Sequence, residues 1–517
     1  MYMTQPLHRH LRESPDKCAA RDLNGELTWT ELADQVSRFA GALVRDGLSP
    51  GDRVAMLARN ESAYMVYVLG TFWAGGVINP VNWRWTAREI ALSLVDCETR
   101  ILIVSEEFTD LLDTIRAAAP CVNIIIAMGN KRCKDAIGYS EWLADADLIP
   151  DAIRRGEDLA AIMYTGGTTG QPKGVMLSHN NISSSLFGMA IANDAPATPE
   201  HLHIAPLFHI GALANLFLGF LTGATSSFLP SFEPESVLQA IERWRITELF
   251  LVPTMISMVI NHPAFASYDV SSLRRLRYGA APIDERLLVE AMAAFPEAGF
   301  VQGYGMTELA PVATVLPPSD HLPKNRSAAK LRSAGRATPV CEVRVVGPDN
   351  QELPRGDVGE IVVRGPNVMI GYWGLAEETS KAIRDGWMNT GDLGMMDEEG
   401  YITIVDRAKD MIVTGGENVF SAEVENAIAT HSEVAAVAVI AMPDKVWGER
   451  VHAVIVPRHG AGLCDDRVVE HCRSLLAGYK VPRSVEFVES LPLSAAGKVL
   501  KSVLRDRARQ TASDVIP

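Results

Sequence analysis

The run Tyr164-Thr165-Gly166-Gly167-Thr168-Thr169-Gly170-Gln171-Pro172-Lys173-Gly174 gathers four glycines, three threonines and a lysine into eleven residues. Glycine lets a backbone turn tightly and bring its N–H groups up to an anion. Threonine hydroxyls add donors and the lysine adds positive charge. Together they suit phosphate binding. The run follows Leu159-Ala160-Ala161-Ile162-Met163, which reads as a buried strand. It is not the Gly-Lys-Ser/Thr loop that opens a helix in P-loop proteins. Lys173 lies between Pro172 and Gly174, and the apolar Val175-Met176-Leu177 comes next. A solvated surface loop is the plain alternative, and so dense a cluster behind a strand argues against it.

Other short runs carry polar or small residues where chemistry needs them. Pro206-Leu207-Phe208-His209 opens an apolar segment. Tyr278-Gly279-Ala280-Ala281-Pro282 and Gln302-Gly303-Tyr304-Gly305-Met306-Thr307-Glu308 are small-residue turns at strand ends, with room for a flat ring or an acyl group. Thr390-Gly391-Asp392 offers a carboxylate of the kind that binds ribose hydroxyls, and Asp406-Arg407 adds a second polar pair. Thr414-Gly415-Gly416-Glu417-Asn418 is another glycine-rich turn. Leu491-Pro492-Leu493-Ser494-Ala495-Ala496-Gly497-Lys498 places one lysine on a loop near the end.

The elements that must position these runs alternate over the first 400 residues. Arg53 to Ala58, Arg100 to Val104 and Asn123 to Ala127 read as strands, and Trp29 to Asp46 and Ser62 to Ala74 as helices. Such βα alternation predicts parallel sheets covered by helices. From Cys341 to Arg364 the pattern becomes a β hairpin, Glu342 to Val346 and Gly359 to Arg364, around a Pro348-Asp349-Asn350 turn. Beyond Asp406 to Asp410 a compact α+β unit of about a hundred residues is expected. It has strands at Val434 to Met442, His452 to Val456 and Ser484 to Val488, a helix capped by Ser421, and another from Asp465 to Ala477. The expected fold is thus α/β: a large N-terminal domain, residues 1–408, of βα-layered sheets plus a β subdomain, then a small mobile α+β domain, residues 409–517.

Composition narrows the function. The 517 residues carry 48 Lys and Arg against 63 Asp and Glu, a formal net charge of −15. That balance argues against nucleic-acid binding, which runs on phosphate neutralisation, and against broad attraction to anionic membranes. The seven cysteines (Cys18, Cys97, Cys121, Cys133, Cys341, Cys464, Cys472) are scattered and form no Cys-x-x-Cys pair. They read as the reduced thiols of a cytoplasmic protein without zinc-ligand spacing. Met1 to Asp16 lacks a signal-peptide core. The apolar stretch Leu207 to Ala224 contains His209 and Asn215 and falls short of the roughly 20 apolar residues of a membrane span. It is expected to be a buried helix lining a pocket, not a transmembrane segment.

The ordered set of motifs, from about Leu7 to Arg507, resembles the adenylate-forming superfamily of acyl-CoA synthetases, peptide-synthetase adenylation domains and firefly-type luciferases. Here Gly166 stands where many members have Ser. The resemblance implies an enzyme that uses ATP, Mg²⁺ and coenzyme A to activate a small-molecule carboxylic acid. Its acyl-adenylate would then be attacked by a thiol. By resemblance, Lys498 contacts both carboxylate and phosphate, and Glu308 holds Mg²⁺. Thr165, Gly166, Gly167, Thr168, Thr169, Gly170 and Lys173 cradle the β- and γ-phosphates, and Thr307 meets the α-phosphate. Gly279, Ala280, Ala281, Gly303 and Tyr304 enclose the adenine, while Asp392 and Arg407 hold the ribose. Lys409 matches the hinge about which the C-terminal domain rotates. Rotation would bring Gly415, Gly416, Glu417 and Trp447 to the CoA arm.

The acyl pocket is expected at Phe208, His209, Leu213, Leu216, Leu309, Ala310, Pro311 and Val312, with His209 on the wall near the carboxylate and counted with Lys498, Thr307 and Glu308 among the catalytic candidates. The stretch His209-Ile-Gly-Ala-Leu-Ala-Asn215 has no acid to pair a substrate ammonium, which would be costly to leave unpaired. No cation is visible there for a second carboxylate. A hydrophobic monocarboxylate follows: medium-chain fatty, alicyclic or aromatic. Loading of a carrier protein instead of CoA stays open, as do a luciferase-like oxygenase and a non-catalytic nucleotide-binding regulator. Trp83 and Trp85 receive no role. The sequence leaves the oligomeric state open, a homo-oligomer included.

Overall fold

The computed structural model describes residues 1–129, 133–165, 172–193, 199–444, 446–458, 460–493 and 499–513, with side chains to residue 508. It divides into two compact units. One comprises Met1–Val343 and Val363–Met388, the other Arg344–Val362 and Asn389–Pro517. The chain passes between them within three strands, and Lys409 lies inside the second unit.

The first unit contains two large sheets among the described residues. One has eight strands, with Gly371–Tyr372, Lys173–Ser178, Leu159–Thr165, Val77–Pro80, Arg53–Leu57, Ile101–Val104, Ile124–Ala127 and Ile137–Gly138 side by side in that order. Its middle is parallel and covered on both faces, so its strands read as unbroken apolar runs. Ile101–Val104 is buried at every residue. The edge that carries the site is antiparallel: Leu159–Thr165 pairs with Lys173–Ser178, which pairs with Gly371–Tyr372. The glycine run therefore connects two antiparallel neighbours, whose last pair is Thr165 with Lys173.

The second sheet has nine strands. Its parallel core runs through Glu200–His203, Glu248–Leu251, Arg275–Gly279 and Gly299–Gly305, followed by antiparallel Val312–Leu316. Ion pairing staples this sheet together beneath the site. Glu248 accepts from Arg275 at 2.9 Å and Arg277 at 2.5 Å, all three side chains being buried. Burial alone would push its carboxyl up, but Arg277, His201 and Arg275 hold it below the usual carboxylate range.

Several expected elements appear within a residue or two. Trp29–Arg45 and Ser62–Trp73 are helices, and Ile210–Thr222 is the buried apolar helix, ended by Gly223 in the left-handed region. Among the described residues no helix is long and apolar enough to cross a membrane. In the second unit, Asp392 to Met396 of the strand Trp387–Met396 runs antiparallel to Ile402–Arg407. Beyond it stand a five-stranded sheet and the helices Ser421–Ala429 and Asp465–Leu475. One expectation fails locally. Ser421 is the first helical residue and not the cap. Its backbone N–H and its hydroxyl both donate to the buried carboxylate of Asp406, the latter at 3.0 Å. A carboxylate from a neighbouring strand thus does the work expected of the serine.

Candidate active site

Strand pairing decides what surrounds the phosphate-loop lysine. Tyr372 stands opposite Val175, hence diagonal to Lys173 on the same strand. The Tyr372 ring centroid lies 5.1 Å from Lys173 Nζ, and its hydroxyl donates to Glu308 Oε1 at 2.8 Å. Glu308 belongs to the turn Thr307–Leu309 that ends the strand Gly299–Gly305, and is only 6% exposed. One tyrosine therefore links the two sheets at the point where both chemistry-bearing turns emerge. Burial first, then the Glu308 charge, pushes the Tyr372 phenol well above its ordinary value, so it remains a donor. Lys173 Nζ also donates to Glu378 Oε2 at 2.7 Å.

The segment that carries Tyr372 is held down over its length. Asn367 donates to the carbonyls of Leu309 and Val312, each at 3.2 Å. Asn181 reaches the carbonyls of Pro366 and Val368 at 2.9 and 2.7 Å, and the Met369 N–H donates to Glu308 O at 2.8 Å. Asn367, Tyr372 and Glu378 belong to none of the motifs that the sequence singles out. The signal present was Gly371-Tyr372-Trp373 behind an Asn, but its partner strand lies some 200 residues away.

The adenine candidates come together as neighbours. Gly279 and Gly303 are register partners on adjacent parallel strands. A Cβ on Gly279 would meet Gly303 O at 2.3 Å, and its φ of +158° lies at the edge of the range that favours glycine. Both observations explain why no larger residue stands there. Ala280 follows with φ +64°. Tyr304 continues the same strand.

Four of the acyl candidates lie on or just before the Ile210–Thr222 helix and four follow Glu308. Leu213, Leu216, Leu309 and Ala310 are fully buried, and Phe208 and Val312 nearly so. The Phe208 and His209 rings are 4.3 Å apart, and Trp83 meets Phe208 edge-on at 6.0 Å. Trp83, given no role from sequence, thus joins this aromatic group. Arg59 and Arg84 each place a guanidinium 4.8 Å from its ring. Asn60 holds the entry to the helix. It donates to Ala205 O at 2.9 Å and accepts from the Leu207 N–H at 3.1 Å. Leu216 also borders a small gap against Met65, Val68 and Leu69 of the Ser62–Trp73 helix.

In the second unit, Asp392 and Arg407 face each other across paired strands, Arg407 Nε lying 3.2 Å from Asp392 Oδ1. Lys409 is exposed, and partial desolvation first, then Arg407, lowers its pKa. Gly415 and Gly416 turn in the left-handed region between Thr414 and Glu417. The Gly415 N–H donates to Trp447 O at 2.8 Å, and Arg483 stacks 4.6 Å from the Trp447 ring. Gly166, Gly167, Thr168, Thr169, Gly170 and Lys498 lie outside the described residues.

Paired polar groups thus stand at the ends of two sheets. Residues 7–373 match the AMP-binding enzyme family, and residues 423–498 match the AMP-binding enzyme C-terminal domain. The chain is 40% identical over 504 residues to the feruloyl-CoA synthase of an Amycolatopsis species, covering 96% of this chain and 97% of that one. It is 35% identical over 512 residues to the fatty acid–[acyl-carrier-protein] ligase ScoC of Streptomyces coeruleorubidus, covering 98% and 96%. The solved structure of ATP-bound MatB from Rhodopseudomonas palustris matches with a TM-score of 0.89 at 32% identity, covering 99% and 100%. The chain belongs to the AMP-binding enzyme family. Within it, the chain is an acid–thiol ligase of the acyl-CoA synthetase branch.

Proposed function

We propose that this chain is an ATP-dependent acyl-CoA ligase for a hydrophobic monocarboxylic acid, with an aromatic acid as the best fit. The observation that carries the reading is the convergence of Lys173, Tyr372 and Glu308 at the mouth of the glycine run. It is supported by the acid-free aromatic and aliphatic set of Phe208, His209, Trp83 and Leu213, and by the similarity to a feruloyl-CoA synthase. We assign Leu309, Ala310, Pro311, Val312 and Leu216 to the same lining.

The reaction explains the residues. A carboxylate is a poor electrophile, and it must approach a triphosphate of like charge. In the first step a carboxylate oxygen attacks the α-phosphorus, the bond to the β-phosphate oxygen breaks, and pyrophosphate leaves. Lys498, Lys173, Thr165 and Thr307 place positive charge and hydroxyl donors where negative charge crowds. Gly279, Ala280, Ala281, Gly303 and Tyr304 take the adenine, and Asp392 with Arg407 the ribose. In the second step the CoA sulfur attacks the acyl carbon and AMP leaves. We assign Lys409 as the hinge between a domain of residues 1–408 and one of residues 409–517, and Gly415, Gly416, Glu417 and Trp447 to the thiol arm.

Glu308 suits Mg²⁺. It is a single buried carboxylate oriented by a tyrosine hydrogen bond, and magnesium is commonly held by one or two carboxylates plus substrate phosphates. Among the described residues no group of three or more His, Cys, Asp or Glu could cage a resident ion, which fits an ion that arrives with its nucleotide. When bound, it supplies charge neutralisation on the phosphates.

The test is thioester formation, read by mass spectrometry, across a panel of cinnamic, benzoic, medium-chain and dicarboxylic acids with ATP and Mg²⁺. A CoA product from the aromatic acids supports the reading. A far better malonate or amino-acid substrate overturns the pocket assignment. The similarity to ScoC favours one second reading, the loading of a carrier protein. Acid-dependent pyrophosphate release with no CoA product, together with acylation of a phosphopantetheinyl carrier protein, would select it.

A further inference from the structure

The ammonium of Lys173 is already engaged. Glu378 Oε2 lies 2.7 Å from Nζ, and the Tyr372 ring covers it at 5.1 Å. Glu378 comes from the helix Ala376–Ala382, which follows Tyr372 directly. Its other oxygen accepts from Lys381 at 3.0 Å, so the carboxylate bridges two lysines. The Lys173 side chain is 22% exposed and that of Glu378 36%, so the pair lies where a solvated anion reaches it. The strand pairing of Tyr372 with Val175 fixes the ring beside Lys173. Glu378 sits on a surface helix anchored by its neighbour Thr379, whose hydroxyl accepts from the Tyr372 N–H at 2.9 Å, so that the exchange needs only its side chain to turn. A lysine ammonium is a compact point charge with three donors. A carboxylate on it occupies the position that a phosphate oxygen would take.

We propose that Glu378 is a specificity-determining residue that stands in for phosphate on Lys173, so that a nucleotide polyphosphate enters by exchanging its own anion for the Glu378 carboxylate while Tyr372 holds the lysine in place. This rests on the reading of Lys173 as a contact of the terminal phosphates. The consequence is selective. A triphosphate carries enough charge to displace one carboxylate, with Lys381 remaining as the partner that receives Glu378. AMP has no phosphate at that position and neither gains nor loses from the exchange. The device makes ATP affinity lower than the bare lysine would give, and leaves AMP affinity untouched.

The experiment is calorimetric titration of MgATP, and separately AMP, into the purified full-length chain without any acid, so that no turnover occurs. Glu378→Gln keeps size and helix propensity and removes the charge. The expected result is about fivefold tighter MgATP binding, of the order of one exposed ion pair, with AMP binding unchanged and the gain shrinking as salt is raised. Lys173→Met should weaken MgATP and not AMP, and adding Glu378→Gln to it should change nothing further. Unchanged or weaker MgATP binding in Glu378→Gln, with Lys173→Met still defective, would overturn the exchange and leave the site reading intact. MgATP binding that is indifferent to Lys173→Met would instead remove the site reading on which the proposal rests.

Discussion

The two units place their chemistry in opposite ways. In the first, polar groups are bonded to one another before any ligand arrives: Tyr372 on Glu308, Lys173 on Glu378, and Asn367 and Asn181 on the backbone that carries them. In the second, the candidate surface is open. Trp447 is 43% exposed, Gly415 and Gly416 turn in the left-handed region, and Arg483 covers one face of the indole. A site that must stabilise developing charge gains from fixed donors that need no reorganisation. A surface that meets a long flexible thiol arm needs flat aromatic area and free backbone. The contrast teaches that damage to the fixed polar groups around Tyr372 should strike adenylation, and damage to the open turn of Gly415, Gly416 and Trp447 should strike thioester formation.

The sharpest break of that contrast is Lys498→Ala. Loss of a donor to transition-state charge costs on the order of 10²–10³-fold, so adenylation should collapse while thioester formation from supplied acyl-adenylate is largely spared. Equal loss in both half-reactions would remove the assigned role. Next comes Gly415→Ala. Its φ is +61° and a Cβ would sit 2.7 Å from Trp447 Cε3. Thioester formation should fall by about tenfold, from roughly 1–2 kcal/mol of backbone strain, with adenylation unchanged. Tyr372→Phe removes a hydrogen bond to a buried carboxylate, an interaction of about 1.5–3 kcal/mol. It should raise the Mg²⁺ concentration needed for half-maximal adenylation by roughly tenfold and leave the second half-reaction alone. A Tyr372→Phe enzyme with normal Mg²⁺ dependence would show that the phenol does not orient Glu308.

The smallest effect is on stability. In the first unit burial pushes His179 and His321 down to about 4 and His203 to about 3. Each stays neutral when folded, whereas the unfolded chain takes up its proton below the ordinary 6.5. Stability is therefore complete above about pH 6.5 and drains away as pH falls toward 4. The apparent Tm should drop by on the order of 5 °C between pH 7 and pH 5. A Tm that is flat across that interval would mean that these rings are protonated in place.

What the sequence revealed followed from locality. The glycine run, the strand-end turns at Gly279 and Gly303, and the helix Ile210–Thr222 each declare themselves within a dozen residues. The residues that escaped notice depend on long-range pairing. Tyr372 meets Lys173 only because Gly371–Tyr372 joins the edge of the strand Lys173–Ser178. Trp83 meets Phe208 across more than a hundred residues of chain. Asp406 displaced Ser421 as a cap for the same reason: a neighbouring strand outcompeted the local side chain. Periodicity carries no record of such meetings, and a single tyrosine between a glycine and a tryptophan has an unremarkable packing explanation until its hydroxyl is seen on a glutamate.

The most direct test of the account is exchange of labelled pyrophosphate into ATP in the absence of CoA, across the acid panel. Exchange requires a reversible acyl-adenylate formed without the thiol. The account predicts exchange that depends on an apolar acid, is strongest with aromatic acids and is lost in Lys498→Ala. Exchange that requires CoA, or none with any acid while a CoA thioester still forms, would contradict it.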